Sequence, residues 1–465
     1  MNKFLTRLTL AAALAGSVAG CDLDDDIIIS INVDSEQKIS ESEGNFNGIL
    51  QDSTEFGYAV GVLGDLEVDG VTDLLVGAPM DNDGGPERGA AWILLMDDDG
   101  NADTESKISA RDGDFNGRLR DGDRFGSAVA GIGDLNGDGI LDAAVGAPLD
   151  DDGGDNRGAV WILFLRQDGT VRDEQKISNR EGNFDGRLHD GDQFGTAITA
   201  LGDLNGDGIT DLAVGAPLDD DDAIDAGAVW ILYMNADGTV LTEEKISAES
   251  GNFDGSLAGG DNFGRALANL GDLNLDTVVD IAVGAPGDDD GASEHGAAWV
   301  LFLLPTGEVL TEQKISASDG ELAVILNSGD RFGEALANAG DMNFDGIIDL
   351  AVGAPFDDDG ATDTGAVWLL FMKRDGNVDQ LQKISRNTGL LGAALNSGDH
   401  FGAAVAGIGN LDRKRAPDLA VGAPFDKTLG IEKGAVWILF MDRADTSTEC
   451  ERNSFFRIIG VGDCG

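Results

Sequence analysis

Nine consecutive residues, Asp134-Leu135-Asn136-Gly137-Asp138-Gly139-Ile140-Leu141-Asp142, carry oxygen-bearing side chains at positions 1, 3, 5 and 9 and glycine at position 6. Alternate residues of a tight loop point to one side, so positions 1, 3 and 5 can converge on one point. Glycine at position 6 permits the sharp reversal. The carbonyl of position 7 and the carboxylate of position 9 would close a shell of hard oxygen donors. Ca²⁺ takes six to eight such ligands, whereas Mg²⁺ prefers a rigid octahedron with retained waters. The chemistry these residues suit is cation binding, Ca²⁺ first. The competing reading is an Asx-rich turn that needs no metal.

The pattern recurs with informative changes. Asp65, Glu67, Asp69 and Asp73 form one copy, in which the longer Glu67 loosens the fit. Asp203, Asn205, Asp207 and Asp211 repeat the first. In Asp272, Asn274, Asp276 and Asp280 the glycine is replaced by Thr277, a β-branched residue that a positive φ would strain. Asp341, Asn343, Asp345 and Asp349 keep Gly346. The last copy departs: Asn410, Asp412, Lys414, Ala416 and Asp418 put Lys414 where the central carboxylate stands elsewhere. Carboxylates held this close repel unless a cation neutralises them. Five copies therefore imply about five Ca²⁺; in the sixth the Lys414 ammonium would fill the hole.

Other candidate groups carry less. An acidic loop follows each Gly-Ala-Pro, at residues 81–83, 150–152, 219–222, 288–290, 357–359 and 426, and reads either as a solvated loop or as a site for a second cation or a cationic partner. Asp123, Asp192, Asp261, Asp330 and Asp399, each before Phe-Gly, read as local caps. Trp92, Trp161, Trp230, Trp299, Trp368 and Trp437 sit inside apolar strands and suit core packing better than sugar stacking. His189, His295 and His400 fall in unrelated contexts, and neither Gly-x-Ser-x-Gly nor a phosphate loop occurs. No catalytic residue is assigned. The abundant carboxylate pairs keep a polysaccharide-acting lyase or glycosidase open as the alternative.

The elements that position these turns follow one period. Phe-Gly begins at 56, 125, 194, 263, 332 and 401, a step of 69 residues obeyed also by all six Trp and by six of the nine Pro. An unbroken step means one structural unit repeated without insertions. Each unit reads as a small-residue strand, the Asp turn, an apolar strand ending at Gly-Ala-Pro, the Trp strand, a hairpin, and a strand ending Lys-Ile-Ser. Four short antiparallel strands with no helical period describe a propeller blade.

Phe125-Gly126, Gly146-Ala147-Pro148 and the Asp134 turn between them, with their equivalents, resemble the FG-GAP repeats of the integrin alpha-subunit propeller. The resemblance covers about residues 36–441. It implies a β-propeller with Ca²⁺ in some blade turns and a role in adhesion or protein recognition. Integrin propellers have seven blades; this sequence supplies six. The expected fold is therefore all-β, a six-bladed β-propeller of four-stranded antiparallel blades. A spare Gln37-Lys38-Ile39-Ser40 precedes the first unit and the sixth lacks its own, so the N-terminal strand is expected to close the ring. Residues 448–459 are the other candidate for that slot.

Lys3 and Arg7 precede an apolar run that ends in Val18-Ala19-Gly20-Cys21. This has the shape of a secretory signal and resembles the bacterial lipobox, in which the Cys is acylated. Cleavage without lipid is the other reading. With Cys21 acylated, Cys450 and Cys464 remain and can form a disulfide in an oxidising compartment, the other reading being two free thiols. The expected layout is a signal over 1–20, a short tether over 21–35, the propeller over 36–441 and a C-terminal tail over 442–465. The net charge of −55 speaks against nucleic acid as a partner. The sequence thus points to a monomeric, lipid-anchored module of a bacterial cell envelope, on the membrane through its N-terminal lipid, that recognises a protein or glycan.

Overall fold

A computed structural model describes residues 30–221, 223–318, 326–389, 395–428 and 430–444. The signal segment, Cys21, Cys450 and Cys464 lie outside these. Strand β1 (Ser30–Ile39) comes first, followed by the blade β2 (Ala59–Gly64), β3 (Asp73–Ala78), β4 (Ala90–Met96) and β5 (Ala102–Ser109), paired antiparallel in that order. Blades 2 to 5 repeat this arrangement, from Ala128–Gly133 to Val378–Ser385. In blade 6 the strands Ala404–Gly409, Asp418–Ala423 and Ala435–Ala444 are completed by β1. The described residues form no helix; the fold is a six-bladed β-propeller.

The core lies between blades. Leu75 and Ile93 of blade 1, for example, pack with Val145, Trp161 and Leu163 of blade 2. Phe115 in the intervening link meets the Trp161 ring edge-on at 5.1 Å and Phe125 at 5.3 Å. The Phe-Gly and Gly-Ala-Pro motifs are explained by a close approach of two backbones. Gly126 N–H donates to the Gly146 carbonyl at 2.9 Å, and a Cβ on Gly146 would lie 2.0 Å from the Gly195 carbonyl of the next blade. Only glycine fits there.

Closure reproduces an ordinary blade-to-blade contact. The bridge between Gly434 and Phe56 is the one that Gly89 makes with Phe125 and Gly158 with Phe194. On β1, Ile31, Val33 and Ile39 are buried, and Lys38 reaches Asp426 at 2.6 Å. Pairing starts at Ser30 opposite Ala444, six residues before the expected start of the propeller at 36. The ring has two faces. The Asp turns lie on one, and the Phe-Gly and Gly-Ala-Pro corners on the other.

Candidate functional site

The inner strand of each blade ends in a register shift, such as that between Gly131 and Gly133, and the chain then enters the Asp turn. In blade 2, Asp134 accepts Asp138 N–H on Oδ1 at 3.0 Å and Gly139 N–H on Oδ2 at 2.8 Å. Asn136 Oδ1 accepts Asp138 N–H at 2.9 Å, and Asp138 Oδ1 accepts Ile140 N–H at 2.9 Å. Asp65, Asp203, Asp272 and Asp341 hold their turns in the same way. The structure thus gathers positions 1, 3 and 5 around one exposed loop. In blade 2 the Arg172 guanidinium also bonds Asp138. In blade 1, burial and then the neighbouring acids Asp69 and Asp103 push the Glu67 carboxyl up.

Position 9 is engaged differently. Asp142 is fully buried; its Oδ2 accepts Leu135 N–H at 3.1 Å, and its Oδ1 accepts Leu165 N–H from the Trp strand at 3.2 Å. Asp73, Asp211, Asp280 and Asp349 make the same pair of bonds. So does Asp418 in blade 6, at 2.8 Å to both Leu411 N–H and Met441 N–H, although Lys414 occupies that turn. This carboxylate is first a tie between the turn and the third strand. Among the described residues no three acidic, His or Cys side chains converge as a group able to hold a metal. The Lys414 ammonium bridges Asp412 at 2.9 Å and Asp34 of β1 at 2.5 Å, so it serves ring closure as well as the turn.

Position 4, which the sequence reading passed over, adopts a left-handed conformation. Gly137 and Gly206 take it freely, but Val68 (φ 63°), Leu275 (66°), Phe344 (64°) and Arg413 (59°) are forced into it. Thr277 at position 6 has φ 77°, as its replacement of glycine implied. Such residues each cost about 1–2 kcal/mol.

The acidic loops after Gly-Ala-Pro carry their own cation. Lys176, from the Lys-Ile-Ser strand, meets Asp150 at 2.8 Å and Asp152 at 3.3 Å, and Ser178 donates to Asp152 at 2.9 Å. Lys107, Lys245, Lys314, Lys383 and Lys38 do the same for Asp81, Asp219, Asp288, Asp357 and Asp426. Each ammonium lies over the blade's Trp ring, at 5.5 Å for Trp161. The first Asp of every loop is buried, so these are neither simply solvated loops nor open cation sites.

The Asp before each Phe-Gly caps its link, as expected: Asp123 accepts Arg120 N–H at 2.6 Å and Asp192 accepts His189 N–H at 2.6 Å. Burial raises the Asp123 carboxyl to about 7, opposed next by the Arg120 N–H bond, with smaller contributions upward from Asp150 and downward from Lys176. Burial raises Asp192, Asp261 and Asp399 to about 6. The folded state therefore binds protons that the unfolded chain releases. That contribution to stability is complete below about pH 4 and is lost as pH rises through 6–7. Blade 1 has Thr54 at this position, buried and bonded to the Lys433 carbonyl at 3.2 Å, so a neutral side chain is tolerated. Asp123→Asn is expected to raise the unfolding free energy from urea titration at pH 8 by about 1–3 kcal/mol, and to change it far less at pH 4.5. Equal effects at both pH values would refute the assignment.

An axial cavity of about 580 Å³ runs between the inner strands, lined by small residues with Asn269 and Asn338 among them. At the Phe-Gly face the residue after each Phe-Gly faces the axis, and here the six copies all differ: Tyr58, Ser127, Thr196, Arg265, Glu334 and Ala403. Arg265 spans the opening, 2.7 Å from Glu334 and 3.0 Å from the Tyr58 hydroxyl. That variability beside an otherwise constant motif was the available sequence signal. His400 is wedged between Phe356 and Phe425 at 4.7 Å from each, and burial lowers its pKa.

Comparison with known proteins places these features. The FG-GAP repeat family matches residues 56–94, 125–163, 194–232 and 332–370, the first three strands of blades 1, 2, 3 and 5. Integrin alpha-2 of Mus musculus is 33% identical over 249 residues, 52% of this chain and 19% of that protein. Integrin alpha pat-2 of Caenorhabditis briggsae is 32% identical over 249 residues, 50% of this chain and 18% of that protein. Integrin alpha-11 of Homo sapiens is 34% identical over 175 residues, 36% of this chain and 13% of that protein. The chain thus spans less than a fifth of the length of these relatives.

Proposed function

We propose that this integrin-alpha-like propeller of FG-GAP repeats is an extracytoplasmic recognition module, tethered by lipid at Cys21 and stabilised by Ca²⁺ in the turns of blades 1 to 5. The observation that carries the reading is the repeated exposed turn, with two carboxylates and an amide oxygen around one loop in blades 2 to 5 and Glu67 replacing the amide in blade 1. This hard, acidic donor set fits Ca²⁺. Positions 1, 3 and 5 would hold the ion, with the remaining lone pairs of position 9 behind them. When bound, the ion would neutralise carboxylates that otherwise repel one another.

The ligand is a protein or a glycan. On the Phe-Gly face the unrepeated Tyr58, Arg265 and Glu334 make the blades chemically distinguishable, and specificity needs such asymmetry. The alternative of a polysaccharide-acting enzyme needs two carboxyl groups facing a cleft. The axial cavity offers small apolar residues and amides, and Glu334 at its mouth is neutralised by Arg265, which favours recognition. A protein and glycan array probed in Ca²⁺ and in EDTA tests the proposal. A ligand held in Ca²⁺ and weakened at least about tenfold by Arg265→Ala supports it. Turnover of a glycan without retention would replace it with the enzyme.

A further inference from the structure

The face that carries the Asp turns is not uniform. In blades 1 to 5 positions 4 to 7 of the turn contain no Lys or Arg, whereas blade 6 places Arg413, Lys414 and Arg415 there, all exposed. Blade 5, beside it, projects Phe344 from its turn tip, 46% exposed, and the exposed Arg374 reaches the same turn at the Gly346 carbonyl, 3.4 Å away. Blade 4 projects Leu275, 64% exposed. Both apolar tips, like Val68 of blade 1 on the other side of blade 6, occupy the left-handed position where blades 2 and 3 have glycine. Each therefore accepts backbone strain and solvent exposure together, a combination that folding does not require. Blade 6 is also where β1 enters, from Ser30 on this same face.

From this coincidence we propose that the turn face of blades 4 to 6 docks on an anionic lipid surface. Phe344 and Leu275 enter the headgroup boundary, and Arg374, Arg413 and Arg415 meet lipid phosphates. The Phe344 tip with Arg374 beside it, and the basic turn of blade 6 next in the ring, suit that interface. The carboxylates of the same turns, Asp272, Asp276, Asp341 and Asp345, oppose it, so the contact rests on their neutralisation by Ca²⁺ as proposed above, while acid more than about 10 Å away is screened at 0.1 M salt. Docking in this orientation turns the Phe-Gly face, with Tyr58, Arg265 and Glu334, away from the membrane and toward a ligand. The contact is distinct from the acyl tether and does not depend on it.

The test uses the chain of residues 21–465 with Cys21→Ser, so that neither the signal segment nor an acyl chain contributes, in one calcium-containing buffer throughout. It is sedimented with vesicles of phosphatidylcholine containing about 30% phosphatidylglycerol, and with phosphatidylcholine alone. Binding to the mixed vesicles is expected, falling at least about tenfold between 0.05 and 0.5 M salt. Phe344→Gly with Leu275→Gly is expected to weaken binding at least about fivefold while raising the melting temperature, since glycine relieves the left-handed strain. Loss of docking in that variant cannot then be misfolding. Arg413→Glu with Arg374→Glu should weaken binding to a similar degree. The melting curve with and without EDTA reports separately whether the turns hold Ca²⁺, so a chain stabilised by Ca²⁺ that still ignores the vesicles overturns the docking and leaves the calcium reading standing. Absence of binding to mixed vesicles, or tip variants that bind as the parent does, would overturn the proposal.

Discussion

A chain beginning at residue 41, without β1, is expected to lose the cooperative fold of the parent. Three side chains buried on β1, Ile31, Val33 and Ile39, would leave apolar slots in blade 6 and against blades 1 and 5. Each such burial is worth about 1.5–3 kcal/mol. Asp426, nearly inaccessible to solvent, would lose Lys38, and removing one partner of a buried pair costs about 3–5 kcal/mol. Together these losses are comparable with the whole stability of an ordinary domain, about 5–15 kcal/mol. The strand Ala435–Ala444 would become an open edge, so self-association should accompany unfolding. The measurement is urea unfolding with size-exclusion chromatography, beside a chain beginning at residue 30. Addition of a peptide of residues 30–40 should restore the transition, because the slot is otherwise intact. A truncated chain that stays monomeric and melts within about 3 °C of the parent would show that β1 is dispensable.

What could be read in advance, and what could not, follows from how far each feature reaches along the chain. The blade count came from local motifs at a constant step, and the closing strand from a fourth-strand signature found before the first blade and missing after the last. Even so, β1 starts earlier than the motif suggested. Ile31 and Val33 continue the alternation, and a register shift between Val33 and Ser35 interrupts it. The partner of the Gly-Ala-Pro acids was not legible. Lys176 lies 24–26 residues from Asp152 and Asp150, and only the pairing of Trp161 opposite Lys176 brings the ammonium over the indole and into that loop. Position 9 looked like any other ligand in the spacing. Its direction depends on the third strand, whose Leu165 N–H claims one of its oxygens. The strained position 4 was hidden because Val68, Leu275 and Phe344 carry no oxygen donor and announce nothing by composition.

These assignments separate two roles for acid, and that separation shapes the largest ligand effect. Calcium removal by EDTA is expected to lower the melting temperature sharply. An ion that binds only the folded state stabilises it by RT ln(1 + [L]/Kd), about 2.7 kcal/mol per site at a hundredfold excess over Kd. Five turns at even a tenfold excess would outweigh most single substitutions, and the midpoint should climb with each decade of added Ca²⁺. In blade 3 the position 5 carboxylate bonds only within its own turn, so Asp207→Asn should remove one site's share of the Ca²⁺ effect and change little in EDTA. Position 9 should behave in the opposite way. Asp418→Ala, in the blade that keeps Lys414, strands the Leu411 and Met441 N–H groups, at about 1–3 kcal/mol each. That loss should be the same with Ca²⁺ and with EDTA. Asp142→Ala should show both effects, the stranded Leu135 and Leu165 N–H groups in EDTA and a further deficit when Ca²⁺ is restored. A melting curve indifferent to EDTA would reduce all five turns to Asx turns closed on their own N–H groups, and the charge they carry would then need another partner.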